Sequence, residues 1–329
     1  MSHARVLGGQ SRSLTGADPA VYLVCYCRSS HGRPRDRSSK LVLVADCRYF
    51  SCMATITVAT WNMHQQHPAW NYLGRLRDEH GVQVVLVQEA TPPAGPGPWA
   101  VITPNPEDKP LWRISVPPDY KRNYASAVVL LDDGLSFHPQ PATPLAVAGY
   151  GQFAASHPGQ FAVAKVGLPD LGHPLVVVSL YGVWHQPSGN GAEATVHRAI
   201  SDLTPLFLTE PRVVVAGDLN IFRNTSNEGQ VRFDTVFTRL DAYNLRLRGP
   251  FRSSGSQPLQ DCTCGQGADG CDHVETFRLL RDNALPYQDD YVFASEALEV
   301  VFCKPVHDPE VRELRYSDHW PVIASLEVG

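Results

Sequence analysis

The sequence predicts a mixed α/β domain, and three features of the chain carry that prediction. Short runs of β-branched and aliphatic residues, such as VVVAGD at 213–218, have the length and composition of buried strands. Stretches with helical spacing separate these runs, as in AWNYLGRLRDEHG at 69–81, which ends on a glycine. Polar residues stand at the strand ends, where α/β sheets open into ligand-binding crevices.

The predicted elements follow one another from residue 56 to the end of the chain. Runs of apolar and β-branched residues predict strands at 56–60, 82–89, 126–131, 161–166, 174–182, 213–218 and 289–295, with a closing strand after His319. Helical spacing predicts helices at 69–81, 193–208 and 233–240.

Composition is that of an ordinary water-soluble domain, with 43% hydrophobic and 19% charged residues. No apolar run approaches the roughly 20 residues that span a bilayer. The eight cysteines are not spaced like a small disulfide scaffold. We therefore expect a protein of the reducing cytoplasm, and the composition leaves its oligomeric state open.

Charge divides the chain at about residue 52. Residues 1–52 carry eight Lys or Arg and three Asp or Glu, so the remainder has a net charge of −10. Such a body binds duplex nucleic acid poorly without a local basic groove or a bound metal, because phosphate neutralisation supplies most of that affinity.

The first 52 residues are rich in Ser, Arg and Gly, and their apolar runs do not continue into a core. We expect residues 1–52 to be a disordered tail or a misassigned leader, with the natural start at Met53 and the domain at 53–329. A basic tail that binds an acidic partner is the alternative. Mass spectrometry of the native N-terminus would distinguish them.

Polar residues recur at the ends of separate predicted strands. They are Asn62, Glu89, Tyr181, Asp218, Asn220, Asp290, Asp318 and His319. Each by itself has a structural explanation, such as a turn former, an Asx turn or a helix cap. Their occurrence together indicates one working site.

The motifs WNMH, VQE, SLYG, AGDLN, DDYVFAS and SDHWPV, in this order and spacing, resemble the endonuclease/exonuclease/phosphatase family. The resemblance covers about residues 55–327. It implies a DNase I-like fold: a four-layer α/β (α+β) sandwich of two packed, mostly antiparallel β-sheets flanked by helices. It also implies a site at one end of the sandwich.

The resemblance implies hydrolysis of a phosphate ester with a divalent cation, Mg²⁺ or Mn²⁺. Mg²⁺ prefers oxygen ligands and needs only one or two carboxylates. Glu89 matches the family's principal metal carboxylate. Asn62 would lie beside it, as a ligand through its oxygen or through water, and Asp318 would complete the metal site or orient its neighbour.

The remaining matched residues are implied to act on the phosphate and the attacking water. Asp218 would position or deprotonate the water, while Asn220, Tyr181 and His319 would contact the phosphate. Asp290 would hold the His319 ring and raise its pKa. In the competing interpretation His319, oriented by Asp290, is the base.

Two further residues are candidates for lining the substrate. Thr276 falls where the family carries a Thr–aromatic pair, and His185 follows the predicted strand at 174–182. For His185, a loop histidine without a catalytic role is the competing interpretation. Asp289 is the alternative to Asp290 as the partner of His319.

A Cys-rich insertion at about 253–275 contains DCTCGQGADGCDH. Cys262, Cys264, Cys271 and His273 would suit tetrahedral Zn²⁺. The spacing is not a common finger pattern, so free thiols and a disulfide stay open, and His273 could instead point into the site.

The sequence therefore predicts a metal-dependent phosphoesterase that acts on a phosphodiester, with nucleic acid as one candidate substrate, or on a phosphomonoester. A phosphatase of a small molecule or a phosphoinositide is the alternative within catalysis. A non-catalytic binding module that uses the Cys-rich loop is the alternative of another class.

Overall fold

In a computed structural model of the chain, the hydrophobic runs form strands in two large sheets. The described residues are 54–117, 120–169, 172–184, 191–223, 226–253, 257–262, 264–281 and 284–329. The expectations for residues 1–52 and for His185 lie outside them. Among the described residues, no helix is long and apolar enough to cross a membrane.

The described residues contain sixteen strands. They are β1 Ala54–Asn62, β2 Val84–Ala90, β3 Val101–Thr103, β4 Ile114–Val116, β5 Tyr120–Arg122, β6 Ala125–Leu130, β7 Ser136–Pro139, β8 Thr143–Pro144, β9 Ala154–Ala155, β10 Phe161–Gly167, β11 Leu175–Leu180, β12 Val213–Asp218, β13 Leu245–Gly249, β14 Asp290–Ser295, β15 Leu298–Pro305 and β16 Val322–Val328.

Five α-helices accompany the strands in the described part of the chain. They are α1 Ala69–His80, α2 Glu193–Thr209, α3 Asn227–Asp241, α4 Gly267–Gly270 and α5 Pro309–Glu313. The predicted stop of α1 is confirmed, because Gly81 takes a left-handed φ of 65° and caps the helix. Helix α3 begins earlier than predicted, because the Ser226 hydroxyl accepts a hydrogen bond from the Gly229 N–H at 3.0 Å and caps it.

The strands form two six-stranded sheets of mixed but mostly antiparallel pairing. The first has the order β15-β16-β1-β2-β6-β3 and the second β13-β14-β12-β11-β10-β7. The β1–β2 and β11–β12 pairs are parallel, and the other pairs within these two sheets are antiparallel. The predicted sandwich of two mostly antiparallel sheets is confirmed.

One hydrophobic core lies between the sheets and one lies on each outer face. Strand β12 shows the pattern: Val214 and Ala216 join the central core, and Val213 and Val215 pack on the side of α2 and α3. Alternate residues point to opposite faces of a strand, so a strand covered on both sides needs a continuous apolar run. The third core packs α1 against the outer face of the first sheet. The result is a helix–sheet–sheet–helix sandwich.

Candidate active site

The polar strand ends converge at one edge of the sandwich. Strand β1 ends at Asn62 and its parallel neighbour β2 carries Glu89, while β12 ends at Asp218. Strand β14 runs antiparallel to β12 and begins at this edge, with Asp290 paired in register with Asp218. The central strands of both sheets therefore supply the site, and the buried cores hold its backbone in place.

Asp218 lies at the centre of this cluster and is 1% exposed. Its Oδ2 accepts hydrogen bonds from Asn62 Nδ2 at 2.8 Å and Asn220 Nδ2 at 3.0 Å, and its Oδ1 accepts the Asn220 N–H at 2.8 Å. Burial raises the pKa of the Asp218 carboxyl well above its usual value, although the charge on His319 opposes this. The carboxylate is thus oriented by amide donors and made more basic by its surroundings.

The turn after Asp218 depends on residues that tolerate close or left-handed backbone. Asn220 has a φ of 50°, which Asn adopts more readily than most residues, and its Nδ2 also donates to the Gly182 carbonyl at 2.9 Å. A Cβ on Gly217 would lie 1.7 Å from the Leu180 carbonyl oxygen of the neighbouring strand. The Gly-Asp-x-Asn sequence therefore serves the geometry of the turn as well as the chemistry.

His319 is buried and held from one side by Asp290. The ring Nδ1 lies 2.9 Å from Asp290 Oδ2, and Nε2 faces Asp218 Oδ2 at 3.7 Å. Burial lowers the pKa of the ring, but Asp290 and Asp218 raise it by more, so the net pKa is well above the usual histidine value. The protonated imidazolium is favoured. Asp290, and not Asp289, is the partner of His319.

Two side chains that support His319 and its aspartate are fully buried. The Thr276 hydroxyl accepts the backbone N–H groups of Asp289 and Asp290 at 3.0 and 3.1 Å. The Ser317 hydroxyl accepts the His319 N–H at 3.0 Å and donates to the Asn62 carbonyl at 2.6 Å. The expectation that Thr276 lines a substrate surface is corrected, because the residue has no exposed surface. Its hydroxyl instead holds the backbone at the start of β14.

Glu89 forms a second group at the same edge with Tyr181, Gln65 and Asn62. The Tyr181 hydroxyl donates to Glu89 Oε1 at 2.7 Å, Gln65 Nε2 donates to Oε2 at 3.0 Å, and Asn62 Nδ2 lies 3.4 Å from Oε1. Glu89 has a φ of 45°, an uncommon conformation for a non-glycine residue and one that clusters at functional sites. Burial and Glu89 raise the pKa of Tyr181 well above its usual value, so its hydroxyl stays a donor.

Asp318 lies between two histidines. His64 Nδ1 is 3.2 Å from Asp318 Oδ1, and His319 Nε2 is 4.0 Å from the same oxygen. Burial acts to raise the pKa of Asp318, but the contact with His64 and the charge of His319 lower it below its usual value. The pKa of His64 is raised by the same contact. Asp318 is therefore a buried carboxylate whose ionised form is favoured.

The side chains at this edge fit a hard divalent cation. Carboxylates outnumber imidazoles there, and the buried Oδ1 atoms of Asp289 and Asp290 accept no hydrogen bond. Burial, together with the neighbouring charges of Asp290 and Asp318, raises the pKa of Asp289 to about 7. The carboxylates of Glu89 and Asp318 offer the oxygen ligands that Mg²⁺ prefers.

Asn62 does not fit the expectation of direct ligation through its oxygen. Its Oδ1 accepts the His64 N–H at 2.8 Å, while its Nδ2 faces Glu89 and Asp218. A side-chain NH₂ group cannot ligate a cation. In this orientation Asn62 instead links the Glu89 and Asp218 carboxylates.

Sequence reasoning missed Gln65, His64 and Ser317, although each lies within three residues of a predicted site residue. Their contacts cross between strands, so no local periodicity marks them. The signal that could have found them in the sequence is that they lie in or next to the WNMH and SDH motifs. The positive φ angles of His64 and Gln65 are visible only in the structure.

The cysteine loop, residues 257–273, brings its four predicted ligands together. Ligand atoms of Cys262, Cys264, Cys271 and His273 all lie within 4.8 Å of one another. His273 Nδ1 faces the sulfurs of Cys262 and Cys271, so the expectation that it points into the catalytic cluster is corrected.

Comparisons with known proteins place the chain among related folds. The model of the Endonuclease/Exonuclease/phosphatase family matches residues 59–319. The solved endonuclease domain of TRAS1, a telomere-specific non-LTR retrotransposon, is 14% identical with a TM-score of 0.51, covering 82% of this chain and 97% of that one. The AP endonuclease LMAP from Leishmania major is 14% identical with a TM-score of 0.52, covering 84% and 88%. No curated protein matches. At these identities the structural likeness concerns the fold alone.

Proposed function

We propose that this chain, which belongs to the endonuclease/exonuclease/phosphatase family, is a metal-dependent phosphoesterase whose Asp218 activates the attacking water. Members of the family are hydrolases that act on phosphate esters. The observation that carries the proposal is one constellation: Asp218 is held by two amides, and His319 Nε2 faces it at 3.7 Å while Asp290 holds the far side of the ring.

This constellation favours Asp218 over His319 as the base. Because Asp290 and Asp218 hold the His319 ring in its protonated form, the ring has no free lone pair with which to take a proton. Burial raises the pKa of the Asp218 carboxyl, so its carboxylate is a stronger base than that of an exposed aspartate. Asn62 and Asn220 keep it aimed.

The proposed step is an in-line displacement at phosphorus. The water oxygen forms a bond to phosphorus, Asp218 takes the water proton, and the bond to the leaving oxygen breaks. The leaving oxygen keeps the bonding pair and gains a proton from solvent. His319 donates its Nε2–H to a phosphoryl oxygen on which negative charge develops. Asn220 and Tyr181, expected to contact the phosphate, donate their side-chain hydrogens to the Asp218 and Glu89 carboxylates and to the Gly182 carbonyl. Their proposed role is therefore to orient these two carboxylates.

Glu89 and Asp318 are the residues proposed to hold the metal, Mg²⁺ or Mn²⁺. A bound divalent cation would neutralise the phosphate charge and polarise the phosphoryl oxygen. Tyr181 and Gln65 orient the Glu89 carboxylate, and His64 orients Asp318. The role proposed for Asn62 is to connect the Glu89 and Asp218 carboxylates through its Nδ2 group.

The substrate class proposed is a phosphodiester or a phosphomonoester, with nucleic acid as one candidate. The net charge of −10 on residues 53–329 favours a substrate that does not need an extended basic groove. A small-molecule or phosphoinositide phosphatase is therefore kept as the alternative. A cytoplasmic location stays a prediction from cysteine usage.

Hydrolysis assays on the full chain test this function. The protein is incubated with Mg²⁺, Mn²⁺ or EDTA and with abasic-site duplex, single-stranded DNA, RNA, bis-p-nitrophenyl phosphate and inositol phosphates. We expect metal-dependent turnover that is lost in Asp218→Asn and retained in Asp234→Asn, a matched change on the surface of α3. The best substrate decides between diesterase and phosphatase.

Two results would overturn the proposal. Turnover that survives in Asp218→Asn would remove Asp218 as the base. A folded protein that binds metal and turns over none of these substrates would favour the binding module.

A further inference from the structure

We propose that Cys262, Cys264, Cys271 and His273 bind a structural Zn²⁺ that holds the cysteine loop together. The inference goes beyond ester hydrolysis, because it concerns a second metal of different chemistry. Three observations support the site: the distances within the cluster, the small apolar burial of the described loop residues, and the contacts from the loop to β14.

The distances match tetrahedral zinc. With Zn–S bonds of about 2.3 Å and a Zn–N bond of about 2.0–2.1 Å, sulfur and nitrogen ligands lie about 3.5 Å apart. His273 Nδ1 lies 3.5 Å from the Cys262 sulfur and 3.7 Å from the Cys271 sulfur. The Cys264 sulfur falls within the same 4.8 Å limit. The four ligand atoms are therefore gathered closely enough to surround a single ion.

The ligands also select the metal. Three thiolates and an imidazole are soft and borderline ligands that favour zinc over magnesium. Four protein ligands fill the tetrahedron and leave no open position for water or substrate, which is the mark of a structural site. The oxygen ligands of Glu89 and Asp318 are of the opposite type, so the two sites would take different metals.

The described residues of the cysteine loop bury little besides the proposed ligands. Among the loop residues whose burial is described, 257–262, 264–267 and 270–273, the buried ones are Cys264, Cys271 and His273, and no aliphatic or aromatic side chain is buried. Its regular structure there is the four-residue helix α4. A long connection with so little apolar burial does not offset the entropy of ordering its backbone, and small units of this kind are stabilised by metals.

Hydrogen bonds join the loop to the catalytic edge. Val274, next to His273, donates its N–H to Gln288 Oε1 at 3.0 Å, and Gln288 Nε2 donates to the Pro250 carbonyl at 2.9 Å. Two residues further on, Thr276 accepts the N–H groups of Asp289 and Asp290. Zinc would therefore fix the segment that positions Asp290, and the four ligands are positioning residues for catalysis.

Metal analysis of the full chain tests the site. Zinc per chain is measured for wild type, Cys264→Ser, Cys271→Ser and Cys303→Ser, and thiol alkylation is mapped by mass spectrometry before and after chelation. Cys303→Ser is the matched control, since it removes a thiol from strand β15 outside the loop. We expect wild type and the control to hold one zinc more than the two loop variants. We also expect chelation to expose Cys262, Cys264 and Cys271 to alkylation.

Equal zinc content in all four proteins would overturn the proposal, as would a disulfide between loop cysteines in the freshly purified protein. The effect on catalysis rests on the proposed function and is measured separately. We expect turnover to fall by roughly tenfold or more when zinc is lost, because the segment before Asp290 is misplaced. Asp218→Asn should keep its zinc, so loss of turnover and loss of zinc are distinguishable.

Discussion

The catalytic edge and the cysteine loop both gather polar side chains from distant positions, but by different means. Asp218 and Asp290 stand at the ends of strands whose other residues fill two hydrophobic cores. The cysteine loop buries the proposed metal ligands Cys264, Cys271 and His273, and among its residues of described burial no aliphatic or aromatic side chain is buried. One region takes its geometry from the scaffold, and we propose that the other takes it from a bound ion.

Because of this difference, substitutions in the two regions should affect activity and stability differently. At the catalytic edge, like charges are collected at a cost that the cores offset, so removing a charge should impair chemistry without unfolding the domain. In the cysteine loop the ligands are the core, so removing one should impair order first and chemistry second. Four sets of variants test the comparison.

The largest effect is expected from Asp218→Asn. Loss of a general base lowers turnover by between about 10² and 10⁴-fold. Since burial raises the pKa of this carboxyl, the neutral amide should leave the melting temperature unchanged or raise it. Initial rates and thermal melts of Asp218→Asn and Cys271→Ser, side by side, check this. A large drop in the melting temperature of Asp218→Asn would contradict the view that the scaffold holds the site.

The next effect concerns the pair that Asp290 and His319 form. His319→Gln should lower turnover by roughly 10²- to 10³-fold, because a charged donor to the phosphate is lost. Asp290→Asn removes the group that holds the ring, so the double variant should be little worse than His319→Gln alone. Turnover numbers of wild type, the two single variants and the double variant, compared as a double-mutant cycle, check this. Fully additive losses would show that the two residues act independently.

A smaller effect is expected from Gln288→Ala, which cuts the connection between the two regions. The variant loses the hydrogen bonds to Val274 and Pro250, worth about 1 kcal/mol each, so turnover should fall by at most about thirtyfold. Zinc per chain should stay at the wild-type value. Unchanged turnover would mean that the loop and the catalytic edge are uncoupled.

The smallest effect is expected at a surface helix cap, as a reference for both regions. Asp308 Oδ1 accepts the Glu310 N–H at 3.0 Å, and Oδ2 accepts the Tyr72 hydroxyl at 2.9 Å. Partial burial acts to raise the pKa of Asp308, but these hydrogen bonds hold it below its usual value. Asp308→Ala should lower the free energy of unfolding by about 1 kcal/mol at neutral pH.

Because the pKa of Asp308 is depressed in the folded state, this stabilisation is present above the unfolded-state pKa and is lost as pH falls through the folded value. Urea unfolding of wild type and Asp308→Ala between pH 7 and pH 3 should show the difference shrinking. Turnover at pH 7 should not change. A change in turnover larger than the change in stability explains would contradict a purely structural cap.

The sequence by itself determined the central strands and the identities of the candidate catalytic residues. Buried strands such as β2, β11 and β12 have continuous apolar runs, which are a local signal. Strand β7, SFHP, lies at a sheet edge, is largely exposed and has no apolar run, so it was not predicted. Edge strand β15 was also missed, although it contains the short run VVFC, because most of its residues are exposed or only partly buried and the run is interrupted by charged and proline residues on both sides. The four-layer sandwich was predicted from the family resemblance of the ordered motifs. The lengths of the apolar runs and the helical spacing do not predict it.

Only the tertiary structure decided which groups meet and how they face one another. Asp289 and Asp290 are equivalent in sequence, but strand alternation and the register with β12 turn Asp290 toward His319. Asn62 and Asp218 are 156 residues apart, and their contact fixes the amide nitrogen, not the oxygen, toward the base. The four loop ligands likewise meet through a fold of the backbone that their spacing does not specify. Composition and periodicity are properties of neighbouring residues, whereas a site is a property of strand pairing across the whole chain.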